Sequence, residues 1–446
     1  MTYDLLVTGC TLLPDAFAAP SADAAIGIVG GRFAFVGPRS ALPPGATAKE
    51  TLHAPGHVCL PGLVNVHTHT ILCMVRGVAE DMGFAPAYTP GVPQGQMVTE
   101  EEAVALARLG ALEALLFGST LINDTYVHTA LTLPAMADLG LRVFSCNRIH
   151  DVSFSGIAHG RWEVDAAGGE ARLAEAEALV AKFHGGAAAR TGVQLAAHAP
   201  DTCTPGFLRR IGETSRRLGV PVQTHLAQSK VEVAHIRERD GMTPAELLED
   251  VGLLDNRLVA AHCIHLTESD IARVGRAGVQ VAHIPKGNAT GGTFAPTRAL
   301  VDAGAKLCLA TDNMHADMVE AMRWGLNMGR IQRGRVEDDW QPEHLLAAAT
   351  LNGAAAMGLG GELGAVREGW RADLVLVNMA RPHLVPHPDP LGTLVHNAHG
   401  RDVAHVVVEG EVVVRNGRPT KCDMDQVCAE GARAAAALWA RARASL

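Results

Sequence analysis

The residues of this sequence whose types and spacing could do chemistry are histidines that end short apolar runs. His67 and His69 bracket a single threonine in PGLVNVHTHT, residues 61–70. Because side chains alternate faces along a strand, the two imidazoles project to the same side and can share one ion. With 21 histidines in 446 residues, about one such spacing is expected from composition alone. The pair therefore gains meaning only from its position and from the other polar groups of the chain.

Five more polar groups follow apolar runs in the same way. They are His198, His225, His262, His283 and Asp312, which end the runs VQLAAHA, PVQTHLA, LVAAHC, VQVAHIP and KLCLATD. Three imidazoles and a carboxylate suit Zn²⁺, and a bound metal lowers the pKa of its water towards ~7. We therefore expect a metal site made of His67, His69, His225 and Asp312. His262 can then hold the water, and Asp312 can also accept its proton. For His198 or His283 taken alone, a satisfied buried histidine is an equally good interpretation.

The apolar runs alternate with longer segments of helical period, such as EEEAVALARLGALEALLFG at 100–118. Eight strand–helix repeats with nearly continuous apolar strands predict an α/β fold, a (β/α)8 TIM barrel. Functional groups of such barrels lie at the carboxyl ends of the strands, where these polar residues fall. A doubly wound open sheet is the alternative, but no G-x-G-x-x-G follows the first strand.

The two flanks of the sequence have a different texture. Short β-like runs separated by glycine turns fill residues 1–57 and return in 376–421. We expect both flanks to form one small accessory β-sandwich domain beside a barrel at 58–375, with a terminal helix at 422–446.

Composition excludes several classes of protein. The net charge is −9 and basic blocks are absent, which argues against a nucleic-acid surface. No apolar run has the length of a membrane span, and the first residues, MTYDLLVTGC, do not read as a signal peptide. Nine cysteines without a C-x-x-C motif fit reduced thiols in the cytoplasm.

The ordered motifs resemble the amidohydrolase superfamily. They are PGLVNVHTH at 61–69, THLAQSKVEV at 224–233, AAHCIHL at 260–266, VAHIP at 281–285, ATDN at 310–313 and GAVREGWRADLVLVN at 364–378. Within it the chain is similar to the cytosine deaminase-like branch, which holds guanine and adenosylhomocysteine deaminases and s-triazine hydrolases. The resemblance covers nearly the whole chain.

The resemblance implies a mononuclear hydrolase. It assigns one divalent metal to His67, His69, His225 and Asp312, and the orientation of the hydrolytic water to His262. No lysine stands near His198, where binuclear relatives carry one. Zn²⁺ is the favoured metal, while Fe²⁺ and Mn²⁺ fit similar ligand sets. Candidate substrate-binding residues are His198, Gln228, His265, His283 and Asn288. Relatives are commonly homo-oligomers, so a dimer or tetramer is expected by analogy.

Gln228 departs from the family pattern. Deaminases of this branch typically carry a glutamate three residues after the strand-five histidine, and that glutamate moves a proton to the ring and to the leaving amine. An amide cannot exchange a proton at neutral pH. Either His262, His265 or Asp312 moves the proton, or the substrate needs less acid help, as with a good leaving group or with ring opening. Gln228 is therefore a catalytic candidate with more than one possible role. The alternative is that it is a tolerated substitution without a catalytic role.

The loop at 83–98, rich in proline and glycine, is interpreted as a lid over the barrel mouth, with an ordinary surface loop as the alternative. The leading functional prediction is a metal-dependent hydrolase that attacks an sp² carbon of a small nitrogen heterocycle and expels an amine or another leaving group. The alternative enzyme opens a cyclic amide or cyclic urea. A non-catalytic binding protein on the same fold would have no physical need for the full ligand set.

Overall fold

The computed structural model describes residues 1–82, 89, 91–186, 190–312 and 314–444. Five strands come first: β1 (Thr2–Leu12), β2 (Ser21–Val29), β3 (Arg32–Pro38), β4 (Thr47–His53) and β5 (His57–Pro61). Nine strands follow: β6 (Leu63–Thr68), β7 (Ser119–Tyr126), β8 (Arg142–Ile149), β9 (Thr191–Gly192), β10 (Leu195–Ala197), β11 (Val222–Leu226), β12 (Leu258–His262), β13 (Gln280–His283) and β14 (Lys306–Leu309). Four strands complete the set: β15 (Leu374–Asn378), β16 (Val403–Val408), β17 (Glu411–Arg415) and β18 (Arg418–Pro419).

Helices connect these strands. They are α1 (Ala79–Met82), α2 (Glu100–Leu116), α3 (Thr129–Ala137), α4 (Ala166–Phe183), α5 (Pro205–Leu218), α6 (Lys230–Asp240), α7 (Pro244–Asp250), α8 (Glu268–Arg276), α9 (Pro285–Thr290), α10 (Thr297–Asp302), α11 (Met318–Arg333), α12 (Pro342–Ala349), α13 (Leu351–Ala356), α14 (Pro390–Asn397) and α15 (Met424–Ala444). Side-chain caps begin several of them, as where Thr99 and Glu102 form a capping box at α2.

Eight parallel strands, β6–β8 and β10–β14, form the barrel. Every residue of β6, β7, β11 and β12 is buried, which explains why the strands read as continuous apolar runs. The barrel closes just beyond β14, where the Asp312 N–H donates to the His67 carbonyl at 3.1 Å. The predicted TIM barrel with an accessory β domain is confirmed.

The accessory strands form one hydrogen-bonded sheet in the order β18-β17-β16-β15-β5-β1-β2-β3, with β4 paired to β1. The sheet joins both flanks of the sequence where β5 pairs antiparallel with β15. Its own buried cluster includes Val7, Ile26, Phe33 and Leu374.

The junction between the two sheets differs from the sequence interpretation. A barrel that begins at residue 58 would contain the whole run CLPGLVNVH, residues 59–67, but this run divides into β5 of the accessory sheet and β6 of the barrel. Gly62 allows the crossing, because a Cβ there would lie 2.1 Å from the Thr120 hydroxyl oxygen. Residues 58–61 thus belong to the accessory sheet, and β15 begins at Leu374 rather than at 376.

Candidate metal centre and active site

The predicted metal ligands converge at the carboxyl ends of the barrel strands. His67 lies in β6, His69 follows that strand, His225 lies in β11 and Asp312 follows β14. The three imidazoles are buried, and Asp312 is partly exposed. Residues far apart in the sequence therefore meet because parallel strands of a barrel end at one rim.

One ring nitrogen of each imidazole bonds to the surrounding protein. His225 Nδ1 donates to the His198 carbonyl at 2.5 Å, and His69 Nδ1 donates to the Thr125 carbonyl. His67 Nδ1 lies 3.0 Å from the Gln223 amide oxygen. A backbone carbonyl can only accept, so the Nδ1 of His69 and of His225 carries the proton. Their Nε2 lone pairs are left facing the centre, as metal-binding imidazoles require.

The Nε2 atoms lie close together. The Nε2 atoms of His69 and His225 are 3.3 Å apart, and Asp312 Oδ1 lies 3.5 Å from His69 Nε2 and 3.8 Å from His67 Nε2. His67 Nε2 is buried without a hydrogen-bond partner among the described residues. Converging lone pairs and a carboxylate repel one another unless a cation neutralises them. The donor set therefore fits a divalent metal.

Burial keeps these imidazoles neutral. It lowers the pKa of His67 to about 4, against a smaller opposing effect of Asp312. Burial also lowers the pKa values of His69 and His225 well below the usual range. The Arg148 charge adds to the effect at His69, and the neighbouring imidazoles oppose a further proton at His225. Neutral imidazole is the form that binds a metal, so no proton has to be displaced at pH 7.

Left-handed backbone turns aim the strand-end side chains. Four of the eight non-glycine residues with positive φ in the described part of the chain lie here: Ala227 at 49°, His262 at 71°, Cys263 at 54° and Asp312 at 64°. This conformation is costly for residues with a Cβ and persists where surrounding contacts enforce it. The chain turns sharply at the rim instead of continuing each strand outward.

A cavity of about 310 Å³ opens above this group. The predicted site residues among its lining are His69, His198, His225, Gln228, His262, His265, Asn288 and Asp312. His283 lies at the end of β13 but outside this lining, buried with the Thr297 hydroxyl 3.4 Å from its ring. Burial lowers its pKa to about 3. The structure thus brings together all the predicted site residues except His283 at the cavity or directly beneath it.

A buried carboxylate holds the turn that carries Gln228. The two Glu232 carboxylate oxygens accept the N–H groups of Ala227 and Gln228, each at 2.8 Å. Burial, with the nearby Asp201 carboxylate, raises the pKa of Glu232 well above its usual range. The Gln228 amide nitrogen is buried without a hydrogen-bond partner among the residues described.

Sequence reasoning missed Arg148, which is the penultimate residue of β8 and lines the cavity. Its guanidinium carbon lies 4.3 Å from the centre of the Tyr126 ring, and its charge contributes to the lowered pKa values of His69 and His198. The signal was present, since an arginine among the buried residues of RVFSCNRI needs an explanation as much as a histidine does.

The predicted lid and the loop that follows β8 line a second cavity. Residues 83–88 and 90 of the predicted lid lie outside the described residues. Gln94 and His150 line this second cavity of about 460 Å³, which shares Arg148 with the first. Trp162, in the loop that follows β8, stacks on His235 with ring centres 4.0 Å apart.

A second cluster of possible ligands has a structural explanation. His383, His399 and Asp402 lie together away from the barrel mouth. Asp402 accepts from the His399 N–H at 2.9 Å and caps the turn that follows. We assign no ion to it.

The geometry can be compared with known proteins. The chain matches the amidohydrolase family over residues 58–413. It is similar to 5-methylthioadenosine/S-adenosylhomocysteine deaminase of Moorella thermoacetica, at 33% identity over 436 residues, 96% of this chain and 97% of that relative. The chain belongs to the amidohydrolase family. The predicted family and its hydrolase activity on C–N bonds other than peptide bonds are thereby confirmed.

Solved structures share the whole amidohydrolase fold of this chain. An adenosine deaminase from Xanthomonas campestris with bound zinc superimposes with a TM-score of 0.87 at 24% identity, covering 98% of this chain and 99% of the other. The atrazine chlorohydrolase TrzN from Arthrobacter aurescens TC1, complexed with zinc, gives 0.82 at 22% identity, covering 97% and 100%. Among the described residues, the helices are all too short or too polar to span a lipid bilayer.

Proposed function

We propose that this protein is a metal-dependent hydrolase that replaces an exocyclic substituent on an sp² carbon of a nitrogen heterocycle by oxygen. The observation that carries the proposal is the convergence of three neutral imidazoles and one carboxylate beneath a cavity of about 310 Å³. Amino-substituted purine nucleosides are the first substrates to test, since the relative from Moorella thermoacetica is named a deaminase of that class.

One zinc ion per chain is the proposed cofactor, held by His67, His69, His225 and Asp312. The nitrogen-rich donor set and the orphaned His67 Nε2 support it, and both solved structures compared contain zinc. When bound, the ion supplies Lewis-acid chemistry that lowers the pKa of adjacent water. Fe²⁺ and Mn²⁺ remain alternatives. The homo-oligomeric state and the cytoplasmic location expected from the sequence stay predictions.

The chain's own residues then orient the reactants and move the protons. Asp312 accepts a proton from the water, whose oxygen forms a bond to the ring carbon, while His262 orients that water. Gln228 donates a hydrogen bond to an acceptor atom of the ring. For an amine leaving group, the Asp312 proton passes to the nitrogen as the C–N bond breaks. His198, His265 and Asn288 are placed to contact the substrate from the cavity wall, and His283 can act only from behind it.

The test is mass spectrometry of products formed in ¹⁸O-labelled water by the zinc-loaded enzyme. The substrate panel holds aminated purines and their nucleosides, pterins, pyrimidines and triazines, with cyclic ureas and hydantoin-like rings beside them. Exchange of an amino group or another substituent for one ¹⁸O supports the proposal. A product that has gained one whole water and lost no substituent establishes ring opening instead. Gln228 would be consistent with that outcome, because an amide cannot supply a proton to a leaving amine. Absence of turnover together with absence of retained metal would leave a binding protein.

A further inference from the structure

His262 differs from His69 and His225 in what surrounds its ring, because those two imidazoles face backbone carbonyls. Among the proposed ligands, His67 also faces a side-chain amide, that of Gln223. The His262 Nδ1 lies 3.0 Å from the Asn288 Oδ1 atom, and its Nε2 lies 3.8 Å from Asp312 Oδ2. Both His262 and Asn288 are buried, at 7% and 5% exposure. The ring is thus held between an amide on one side and a carboxylate on the other.

These two neighbours favour opposite tautomers. An ionised Asp312 carboxylate can only accept, so it favours a proton on His262 Nε2. The amide oxygen of Asn288 favours a proton on Nδ1 and leaves the Nε2 lone pair towards the cavity. For His69 and His225 a backbone carbonyl fixes the tautomer, but for His262 the orientation of one side-chain amide decides it.

The backbone of Asn288 is held firmly. Its N–H donates to the Ile284 carbonyl at 3.1 Å, and its own carbonyl accepts from the Thr293 N–H at 3.0 Å and the Thr293 hydroxyl at 3.2 Å. The side chain leaves α9 with its oxygen towards His262. Its Nδ2 has no hydrogen-bond partner within the described part of the chain, and Asn288 lines the cavity.

We propose that Asn288 is a positioning residue that keeps the His262 proton on Nδ1 and presents the Nε2 lone pair to the hydrolytic water. His262 then accepts a hydrogen bond from the water, and the other proton of that water is directed to Asp312. The unpaired Asn288 Nδ2 remains available to an acceptor atom of the substrate. The role of the water rests on the proposed hydrolysis, whereas the tautomer does not.

The test is two-bond ¹⁵N–¹H correlation NMR of the zinc-loaded enzyme with ¹⁵N-labelled histidine, at one neutral pH. The His262 signals are assigned from their loss in His262→Gln. In the wild type we expect the Nδ1–H form. Asn288→Asp keeps an acceptor of the same shape and should retain that form, while Asn288→Leu removes the acceptor and should move the proton to Nε2.

Kinetics on a substrate found with the panel give the second readout. Asn288→Leu should lower kcat about 10- to 100-fold at unchanged metal content, the range usual for residues that orient a metal-site imidazole. Asn288→Asp should recover part of that loss. Asn352→Leu is the control, since it removes an amide whose bond goes to the Leu307 carbonyl outside the cavity; neither kcat nor the His262 tautomer should change.

An Nε2–H tautomer of His262 in the wild type would overturn the inference, as would an unchanged tautomer in Asn288→Leu. Both results can be read even if no substrate turns over. A failure of the proposed hydrolysis is therefore distinguishable from a failure of the role of Asn288.

Discussion

Asp312 meets two requirements with one carboxylate. Its Oδ1 faces His69 and its Oδ2 faces His262, at 3.5 and 3.8 Å. One oxygen can therefore hold a metal while the other accepts a proton. The Thr68 hydroxyl donates a hydrogen bond to the Asp312 backbone carbonyl at 2.7 Å. This bond positions the Asp312 backbone without using its carboxylate.

Replacing that carboxylate by an amide separates the two requirements. Asp312→Asn keeps a possible ligand oxygen but cannot take the proton, so kcat should fall about 10²- to 10⁴-fold even at full metal occupancy. Steady-state kinetics with metal content measured on the same samples is the check. A variant that keeps most of its kcat at full occupancy would remove the proton-accepting role.

Substitution of Gln228 by glutamate should raise kcat, whereas the change at Asp312 should lower it. Gln228→Glu places a titratable group on the cavity wall, so kcat for substrates that lose an amine should rise, by up to about 10²-fold. Substrates with a leaving group that departs without a proton should gain little. Gln228→Met, of similar length but without a titratable group, is the matched control. Equal change for both substrate types would show that proton supply is not what Gln228 limits.

At the residue scale, the predictable site residues were the polar ones at the ends of apolar strands, where burial of a polar side chain is costly. His67, His225 and Asp312 stood out because a buried polar group needs a partner. The pairing of Asn288 with His262 could not be derived in this way. It depends on α9, the helix that follows β13, approaching the end of β12, and no local sequence pattern encodes that approach.

At the element scale, the terminal helix α15 packs against α2 through a charged contact. Arg441 Nη1 donates to Glu102 at 2.7 Å, and the Trp439 indole donates to the Met74 carbonyl at 2.8 Å. The guanidinium is the main cause of a lowered pKa for Glu102. The contact links α15 to the segment leading from β6 into α2.

The sign of this pKa change fixes a pH dependence. Because the Glu102 pKa is lower in the folded state, the ionised carboxylate stabilises the fold above the pKa of the unfolded state, about 4.3. This stabilisation is lost as the pH falls through the pKa of the folded state. Arg441→Gln should therefore lower the unfolding temperature at pH 7, and the difference from wild type should narrow below about pH 4.

Thermal unfolding at several pH values is the measurement. Arg443→Gln is the control, because Arg443 lies over the Trp439 ring, 5.8 Å from its centre, and its removal should give a difference without this pH dependence. A difference for Arg441→Gln that stays constant down to pH 3 would contradict the role given to Glu102.

Strands that are buried along their whole length could be predicted from the sequence. The alternation of apolar strands and helices predicted the barrel, because strands such as β7 and β12 are buried on both faces. The division of CLPGLVNVH into β5 and β6 was not predictable, since both halves are apolar and the close approach of Thr120 to Gly62 exists only in the folded chain.

At the scale of the whole molecule, a buried ionic group joins the barrel to the accessory sheet. Arg142, the first residue of β8, is fully buried and bonds to both carboxylate oxygens of Asp373 at 2.8 and 3.0 Å. It also pairs with Glu409, which lies between β16 and β17. The two sheets therefore share one set of desolvated charges.

Removing the cation should destabilise both sheets together. Arg142→Met leaves the buried Asp373 carboxylate without its cation, while Glu409 keeps its pair with Arg371. The free energy of unfolding should fall by about 3–5 kcal/mol. Equilibrium urea denaturation followed by circular dichroism measures it. Arg415→Met removes an exposed pair with Glu50 and should cost under ~1 kcal/mol. Equal losses for the two variants would contradict a structural joint at Arg142.

The pairing of β5 with β15 also has a consequence for how the protein is made. On the ribosome, β5 emerges about 300 residues before its partner, an interval of roughly a quarter of a minute to a minute at 5–20 residues per second. During that time one edge of β5 has unpaired backbone groups, and such an edge can recruit a strand from another nascent chain. Slow synthesis or crowded polysomes should therefore raise the yield of aggregates, whereas chaperones that bind extended apolar segments should lower it.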